Sequence, residues 1–389
     1  MRVKLEAPLF QGDMRLISVI MFLVVFVRGA ILVSLLPIYG AHTLGLTPDI
    51  IGIAISAHYI TDTALKVMIG YLLDRFSARV IVQVSILIAL LGVYCLPFAD
   101  QAWMFIGAAA LYGIGMSPVW IVCLTRVSPE HRATHMGYLY TLWLAALGGG
   151  PILCNILLDY SNDRTYQLLL ILSALAFVLS LFMHKSPSRE HHAIPLRTQL
   201  AVLRDRIGQM KLLLPGMILQ TLGASMLVPI LPLYASHELG LSGAQYSILL
   251  IAGGVCAVGG LIPMGRLSDR HGGRRWFLVC GFSSFALGLY ILAWGLSFWY
   301  CLGIAFFLGL SYAALLPSWN AMLAAYVPPK QEGIGWGLLS TFEGIGVMIG
   351  PVVGGVIALW GGESSVFWAS AAIFAAIGIL YATMKQNGA

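Results

Sequence analysis

Apolar runs of about 20 residues, the length a helix needs to cross a hydrocarbon core of about 30 Å, recur along the chain with short polar breaks between them. They predict spans at 15–39, 51–73, 79–98, 103–126, 137–158, 166–184, 212–235, 245–268, 276–296, 299–326, 334–359 and 365–384, with one longer polar segment at 185–211. The runs are continuous rather than alternating. That excludes the period-two strands of a membrane barrel and leaves helices as the way to satisfy the backbone in lipid. The expectation is an all-α membrane protein of twelve transmembrane helices in two pseudo-symmetric six-helix bundles, 1–184 and 212–389, joined by a cytoplasmic linker at 185–211.

The pairing of the halves rests on a repeat. Leu32-Val33, Leu36-Pro37, Tyr39, His42 and Leu44-Gly45-Leu46 recur 195 residues later as Leu227-Val228, Leu231-Pro232, Tyr234, His237 and Leu239-Gly240-Leu241. At the same offset Gly70, Asp74, Arg75 and Arg79 recur as Gly265, Asp269, Arg270 and Arg274. Soluble solenoids repeat every 20–50 residues or so, whereas equivalent halves this far apart in apolar sequence belong to membrane transporters.

Composition and charge add location and orientation. The chain is 59% hydrophobic and only 10% charged, far from the roughly 25% charged residues of soluble domains. Of its 22 lysines and arginines, only Arg164 falls outside and only Arg28 and Lys66 lie deep within spans, the rest being in cytoplasmic segments or at the cytoplasmic ends of spans, if both termini are inside. The positive-inside bias therefore predicts N-in and C-in, in a multi-pass protein of the cell membrane. The net charge of +6 then reports topology and contact with an anionic inner leaflet, not nucleic-acid binding. The first apolar run is too long for the core of a cleaved signal peptide and reads as a retained helix. The six cysteines fall inside spans without metal-ligand spacing and read as packing residues, with no metal and no cofactor implied. In the linker, Leu196, Leu200 and Leu203 among arginines fit either an interfacial amphipathic helix or a solvated connector.

Buried charge supplies the candidate chemistry, because an ionisable side chain inside a membrane is costly. Arg28 lies in the first span, and His58, Asp62 and Lys66 are spaced four apart on one face of the second. Such a face lines a polar cavity where Arg28 meets it; the pair either locks the two helices together or binds protons or a substrate headgroup. Glu343, some ten residues into the eleventh span, is the other buried carboxylate, either a proton-coupling group or a hydrogen-bonded helix contact. Pro118-Val-Trp120 recurs as Pro317-Ser-Trp319, and Trp143 reaches a depth like that of Trp120. These indoles are candidates to stack on sugar rings, with Asn155 and Asn320 as further polar contacts. Gly148-Gly149-Gly150-Pro151 and the glycines around Gly350-Pro351 allow close packing of helices; neither precedes the Lys-Ser/Thr of a nucleotide loop. The polar groups crowd the first half while the second offers mainly Gln220, Asn320 and Glu343. That asymmetry suits an amphiphile better than a small sugar or ion.

The segments Gly70-Tyr-Leu-Leu-Asp74-Arg75-Phe-Ser-Ala-Arg79 and Gly265-Arg-Leu-Ser-Asp269-Arg270-His-Gly-Gly-Arg274 read as a cytoplasmic latch, in which an aspartate at a helix end pairs with arginines in one conformation only. They resemble the signature loop of the major facilitator superfamily, whose fold of two six-helix halves the resemblance implies for the whole chain. More narrowly, Ser56-Ala-His-Tyr-Ile-Thr-Asp62, Gly113-Ile-Gly-Met-Ser-Pro-Val-Trp120, His135-Met-Gly-Tyr-Leu-Tyr-Thr-Leu-Trp143, Leu227-Val-Pro-Ile-Leu-Pro232 and Leu315-Leu-Pro-Ser-Trp-Asn320 resemble the Gram-positive flippases that move the diglucosyl-diacylglycerol anchor of lipoteichoic acid. The resemblance implies proton-coupled antiport of a glycolipid between leaflets. It assigns proton coupling to Arg28 and Asp62 and headgroup contact to Trp120 and Trp143. It also implies lipoteichoic acid synthesis enzymes as partners. Where that family carries a glutamate one turn before the arginine, this chain has Val25, and Glu343 is the candidate replacement. The competing reading is a multidrug/proton antiporter. No nucleophile, base and orienting group share a site, so enzymatic activity is not expected.

Overall fold

The structure, a computed structural model, describes residues 12–125, 132–184, 214–271, 274–324 and 332–383. The linker and its expected amphipathic helix lie outside the described residues. The chain is helical: α1 (Gly12–Ala30), α2 (Leu36–His42), α3 (Pro48–Arg75), α4 (Ala78–Cys95), α5 (Ala102–Thr125), α6 (Arg132–Leu158) and α7 (Asn162–Leu181) precede the linker. After it come α8 (Leu214–Met226), α9 (Leu231–His237), α10 (Gly243–His271), α11 (Arg274–Leu292), α12 (Phe298–Ala324), α13 (Glu332–Gly361) and α14 (Glu363–Thr383). Eleven described stretches are long and apolar enough to cross a membrane, and α3, 28 residues long, is the remaining helix of spanning length.

The first crossing is not one straight helix. Between α1 and α2 the backbone widens into a π-helical turn, Ile31–Leu35. Pro37 explains the break, since it has no amide hydrogen to give to the carbonyl one turn back. Its repeat mate Pro232 sits at the same place in α9, after a hydrogen-bonded turn in which the Ile230 and Leu231 amides both donate to Leu227 O. Both short helices end alike. Leu44 N donates to Tyr39 O at 3.2 Å and Leu46 N to Gly40 O at 2.9 Å; Leu239 N donates to Tyr234 O at 3.1 Å and Leu241 N to Ala235 O at 2.8 Å. This C-terminal cap needs a residue with positive φ, and glycine supplies it at Gly45 (62°) and Gly240 (61°).

The chain divides into two compact units, residues 1–31 with 57–191, and residues 32–56 with 192–389. In the first, α1 packs on α6 and α7, and α4 packs on α5 and α7. The α1–α6 approach is set by glycine: a Cβ on Gly29 would stand 2.5 Å from Leu147 O, and one on Gly150 would collide with Phe26 O. In the second unit α8 packs on α13 and α14, α11 on α12 and α14, and α10 on α12. These are the first unit's pairings carried through the repeat. The segment 32–56 joins the second unit because α2 lies against α9, and because Gly52 and Pro48 of α3 abut Pro351 and Gly355 of α13. The core of this unit is aromatic, with Phe282 stacked on Phe374 (6.2 Å) and Tyr381 (5.9 Å).

Candidate substrate and proton site

The first unit buries an ion pair. Arg28 stands in the last turn of α1, just before the π-helical turn. Its Nη2 lies 3.1 Å from Oδ2 of Asp62 in the middle of α3. Asp62 is 1% exposed and Arg28 22%. Removing either partner leaves an uncompensated charge out of water, which costs about 3–5 kcal/mol when burial is complete.

Aromatic rings close the site around this pair. The Arg28 guanidinium carbon sits 5.6 Å from the ring centroid of Tyr59, a cation–π distance. His58, fully buried, lies 5.2 Å from the Tyr112 ring at 30° and 5.5 Å from the Tyr59 ring at 79°. Tyr112 comes from α5 and is within electrostatic reach of both Arg28 and Asp62. The contact between α3 and α5 is fixed by Gly113, whose Cβ would run into the His58 carbonyl, and by Thr61 Oγ1 donating to Ala110 O at 2.9 Å. Arg28, His58 and Asp62 thus come together as three of the four charged or ionisable groups expected there, while the Lys66 side chain lies outside the described residues. Tyr59 and Tyr112 are additions. Tyr59 sits three residues before Asp62 and is legible as a face neighbour; nothing in the sequence places Tyr112 of another helix against His58.

The tryptophan pair is in the same unit. The rings of Trp120 on α5 and Trp143 on α6 are 6.3 Å apart at 48°, both half-buried. Tyr112 and Trp120 are eight residues apart on α5, about 12 Å along its axis. Asn155 of α6 is fully buried, and neither its amide nitrogen nor its oxygen has a hydrogen-bond partner among the described residues. It is available to a polar ligand.

The second unit uses its residues differently. Trp319, expected as a ligand contact, is instead a core residue, 1% exposed, set edge-on against Phe282 (5.9 Å) and Tyr381 (5.9 Å). The indole is large enough to fill the gap between α12, α11 and α14, so packing claims it. Its Nε1 donates to Glu343 Oε1 at 3.5 Å, which gives Glu343 a partner that the sequence did not name. Asn320, next along α12, is exposed.

Of the repeated arginine motif, Arg79 donates to Leu181 O at 2.8 Å, tying the start of α4 to the end of α7. The equivalent tie between α11 and α14 is made by Arg275, whose Nε donates to Tyr381 O at 2.9 Å, one residue beyond the repeat-matched Arg274. A Cβ on Gly265 would stand 3.5 Å from Pro317 Cβ, nearby Ser268 and Ser318 share a hydrogen bond of 2.9 Å, and Arg270 is exposed. Gly70 and the side chains of Asp74, Arg75, Asp269 and Arg274 lie outside the described residues. Among the described residues no group of three His, Cys, Asp or Glu is placed to hold a metal ion.

Comparison with known proteins places this geometry. The family model described as Major Facilitator Superfamily matches residues 17–212 and again 213–386. The proton-coupled antiporter flippase LtaA of Staphylococcus saprophyticus is 30% identical over 371 residues, covering 93% of this chain and 92% of the relative. The protein of the same name from Staphylococcus epidermidis is 31% identical over 372 residues, with the same coverage, and that of Staphylococcus aureus 28% identical over 371 residues, 94% and 93%. Among solved structures, the nucleoside transporter NupG superposes with a TM-score of 0.78 at 14% identity, covering 97% of this chain and 100% of that one.

Proposed function

Because the chain belongs to the Major Facilitator Superfamily, we propose that it is a proton-coupled antiporter of the cell membrane that flips a glycosyl-diacylglycerol between leaflets by alternating access. The observation that carries this reading is the buried Arg28–Asp62 pair, 3.1 Å long, under Tyr59 and in one unit with the Trp120–Trp143 pair. The relatives called proton-coupled antiporter flippases support it over most of the chain.

The pair has the logic of exchange. While Asp62 is ionised, it occupies the Arg28 guanidinium. A proton on Asp62 removes that counter-ion, and the guanidinium donors are then free for headgroup hydroxyls or a headgroup anion. Loss of the proton restores the pair and expels the headgroup. Trp120 and Trp143 supply faces on which sugar rings stack, and His58 and Asn155 supply polar contacts. Val25 is buried (6% exposed) where the resembled family has a glutamate, so Asp62 is the principal proton carrier in this unit. Glu343, held by Trp319, is a second carrier in the other unit. The repeated Asp74 and Asp269 with their arginines act as conformational latches. The chemistry is transport and not catalysis, and the flipped lipid passes to enzymes of lipoteichoic acid synthesis.

Proteoliposomes carrying either a fluorescent diglucosyl-diacylglycerol, the same lipid without sugar, or a hydrophobic cationic dye test the substrate class. The glycolipid alone should move in response to a pH gradient. Proton-driven movement of the dye with no movement of the glycolipid would establish a drug antiporter instead.

A further inference from the structure

Among the described residues, the 195-residue repeat brings a pair of equivalent residues into contact. His42 ends α2 and His237 ends α9. Their rings stack at 5.0 Å and 28°, with Nε2 to Nε2 at 2.8 Å. Equivalent residues of two repeats can meet only where the pseudo-two-fold axis passes, so this contact lies on the symmetry element relating α2 and α9. On the other side of His237, Nδ1 lies 2.8 Å from Oε1 of Glu363, the first residue of α14. With both termini inside, the first and seventh crossings end, and the last begins, on the outer face. The cluster therefore faces outer water: His42 is exposed and His237 is 46% exposed.

The geometry limits how many protons the cluster can hold. A hydrogen bond between two imidazole nitrogens needs one N–H and one lone pair. When both rings are neutral, His237 donates through Nδ1 to Glu363 and accepts at Nε2 from His42. One added proton is tolerated, because His237 can donate from both nitrogens, to Glu363 and to the Nε2 lone pair of His42. A second proton must take that lone pair. Two N–H groups and two positive charges would then face each other across 2.8 Å, and the contact has to open. The charged groups around the pair are anionic: Glu363 of α14, and Glu238 at the end of α9, which is within electrostatic reach of Glu363. Asp49 opens α3 next along the chain. No lysine or arginine occurs in 29–65, 212–265 or 331–384, so in α2, α9 and α14 themselves the histidines are the only side chains able to become cations.

We propose that His42, His237 and Glu363 form a proton-binding latch on the outer face, closed while the histidine pair carries at most one added proton and released by the second. Outside acid then favours parting of α2 from α9, the step that an outward-opening antiporter needs before protons can enter. The proposal rests on alternating access by this family and not on the identity of the transported lipid.

The test reads conformation and requires no substrate. Spin labels are placed at the exposed outer-loop residues Gln101 and Ser297 through a bio-orthogonal amino acid, which leaves the six cysteines intact, and their distance distribution is recorded in nanodiscs from pH 8 to pH 5. In the otherwise unaltered protein the long-distance population should rise as pH falls across this range. His42→Gln and His237→Gln, which keep a hydrogen-bonding side chain but cannot take the proton, should abolish the titration. Glu363→Gln keeps both imidazoles and removes an anion that favours positive charge on the pair at either step, so its midpoint should move to lower pH. A merely structural contact would not move the midpoint. Distances independent of pH in the unaltered protein, or an unchanged titration in the two glutamine variants, would overturn the proposal.

Discussion

Replacing Asp62 with asparagine separates the charge of the buried pair from its shape. Full loss of a partner from a buried pair costs about 3–5 kcal/mol, but three features reduce that here. Arg28 keeps 22% exposure, it keeps the Tyr59 face, worth about 0.5–2 kcal/mol, and the asparagine oxygen still accepts at the 3.1 Å position for about 1 kcal/mol. The expected loss of stability is therefore about 1–3 kcal/mol, and Asp62→Asn should purify as a folded protein. Its effect on coupling is much larger. A gradient of one pH unit supplies about 1.4 kcal/mol per proton, a tenfold bias in where the flipped lipid accumulates if one proton crosses per cycle. An amide takes up no proton, so the bias should fall well below tenfold, to whatever Glu343 alone sustains. Accessibility of a fluorescent glycolipid to a membrane-impermeant quencher, with and without the gradient, reads the ratio directly. A retained tenfold bias in Asp62→Asn would refute the assignment, as would restoration of coupling by any variant lacking both Asp62 and Glu343.

Three further outcomes follow from the same geometry. Trp120→Ala with Trp143→Ala should lower glycolipid flipping by roughly 5- to 150-fold for each ring that stacks on sugar, from about 1–3 kcal/mol per ring, while thermal stability of the half-buried pair changes little; flipping at the unaltered rate would remove the tryptophans from the substrate path. Trp319→Phe should destabilise the second unit by about 1–3 kcal/mol, because it leaves a void and an unpaired Glu343 carboxyl, and the loss should shrink in a Glu343→Gln background; equal losses in both backgrounds would deny the Trp319–Glu343 contact. Gly150→Ala should cost about 1–3 kcal/mol by pushing α6 off α1 at Phe26, whereas Gly148→Ala, with open space around it, should be nearly neutral; thermal unfolding of the two side by side decides it.

The spans, the repeat and the all-helical fold were legible because they depend on one-dimensional quantities: run length, charge placement and a fixed offset. The superfamily and flippase resemblance was legible too, and the family model and the LtaA relatives bear it out. What the sequence hid depends on how helices turn about their axes. A four-residue spacing put His58 and Asp62 on one face, yet gave no sign that Tyr112 of α5 would stack on His58. The repeated Pro-x-Trp made Trp120 and Trp319 look equivalent, although one is half-buried in a pair and the other fills an aromatic core. The arginine repeat pointed to Arg79, yet gave no sign that Arg275 would tie α11 to α14 as Arg79 ties α4 to α7. The contact between His42 and His237 is the exception, since the repeat itself places both residues and only the symmetry axis was missing.

Net transport of a fluorescent diglucosyl-diacylglycerol in proteoliposomes under pH gradients of opposite sign tests the central claim most directly. Proton antiport predicts that reversing the gradient reverses the direction in which the lipid accumulates, and that a protonophore abolishes the bias while exchange between leaflets continues. Accumulation of the same sign and size under both gradients, or none beyond protein-free vesicles, would contradict it.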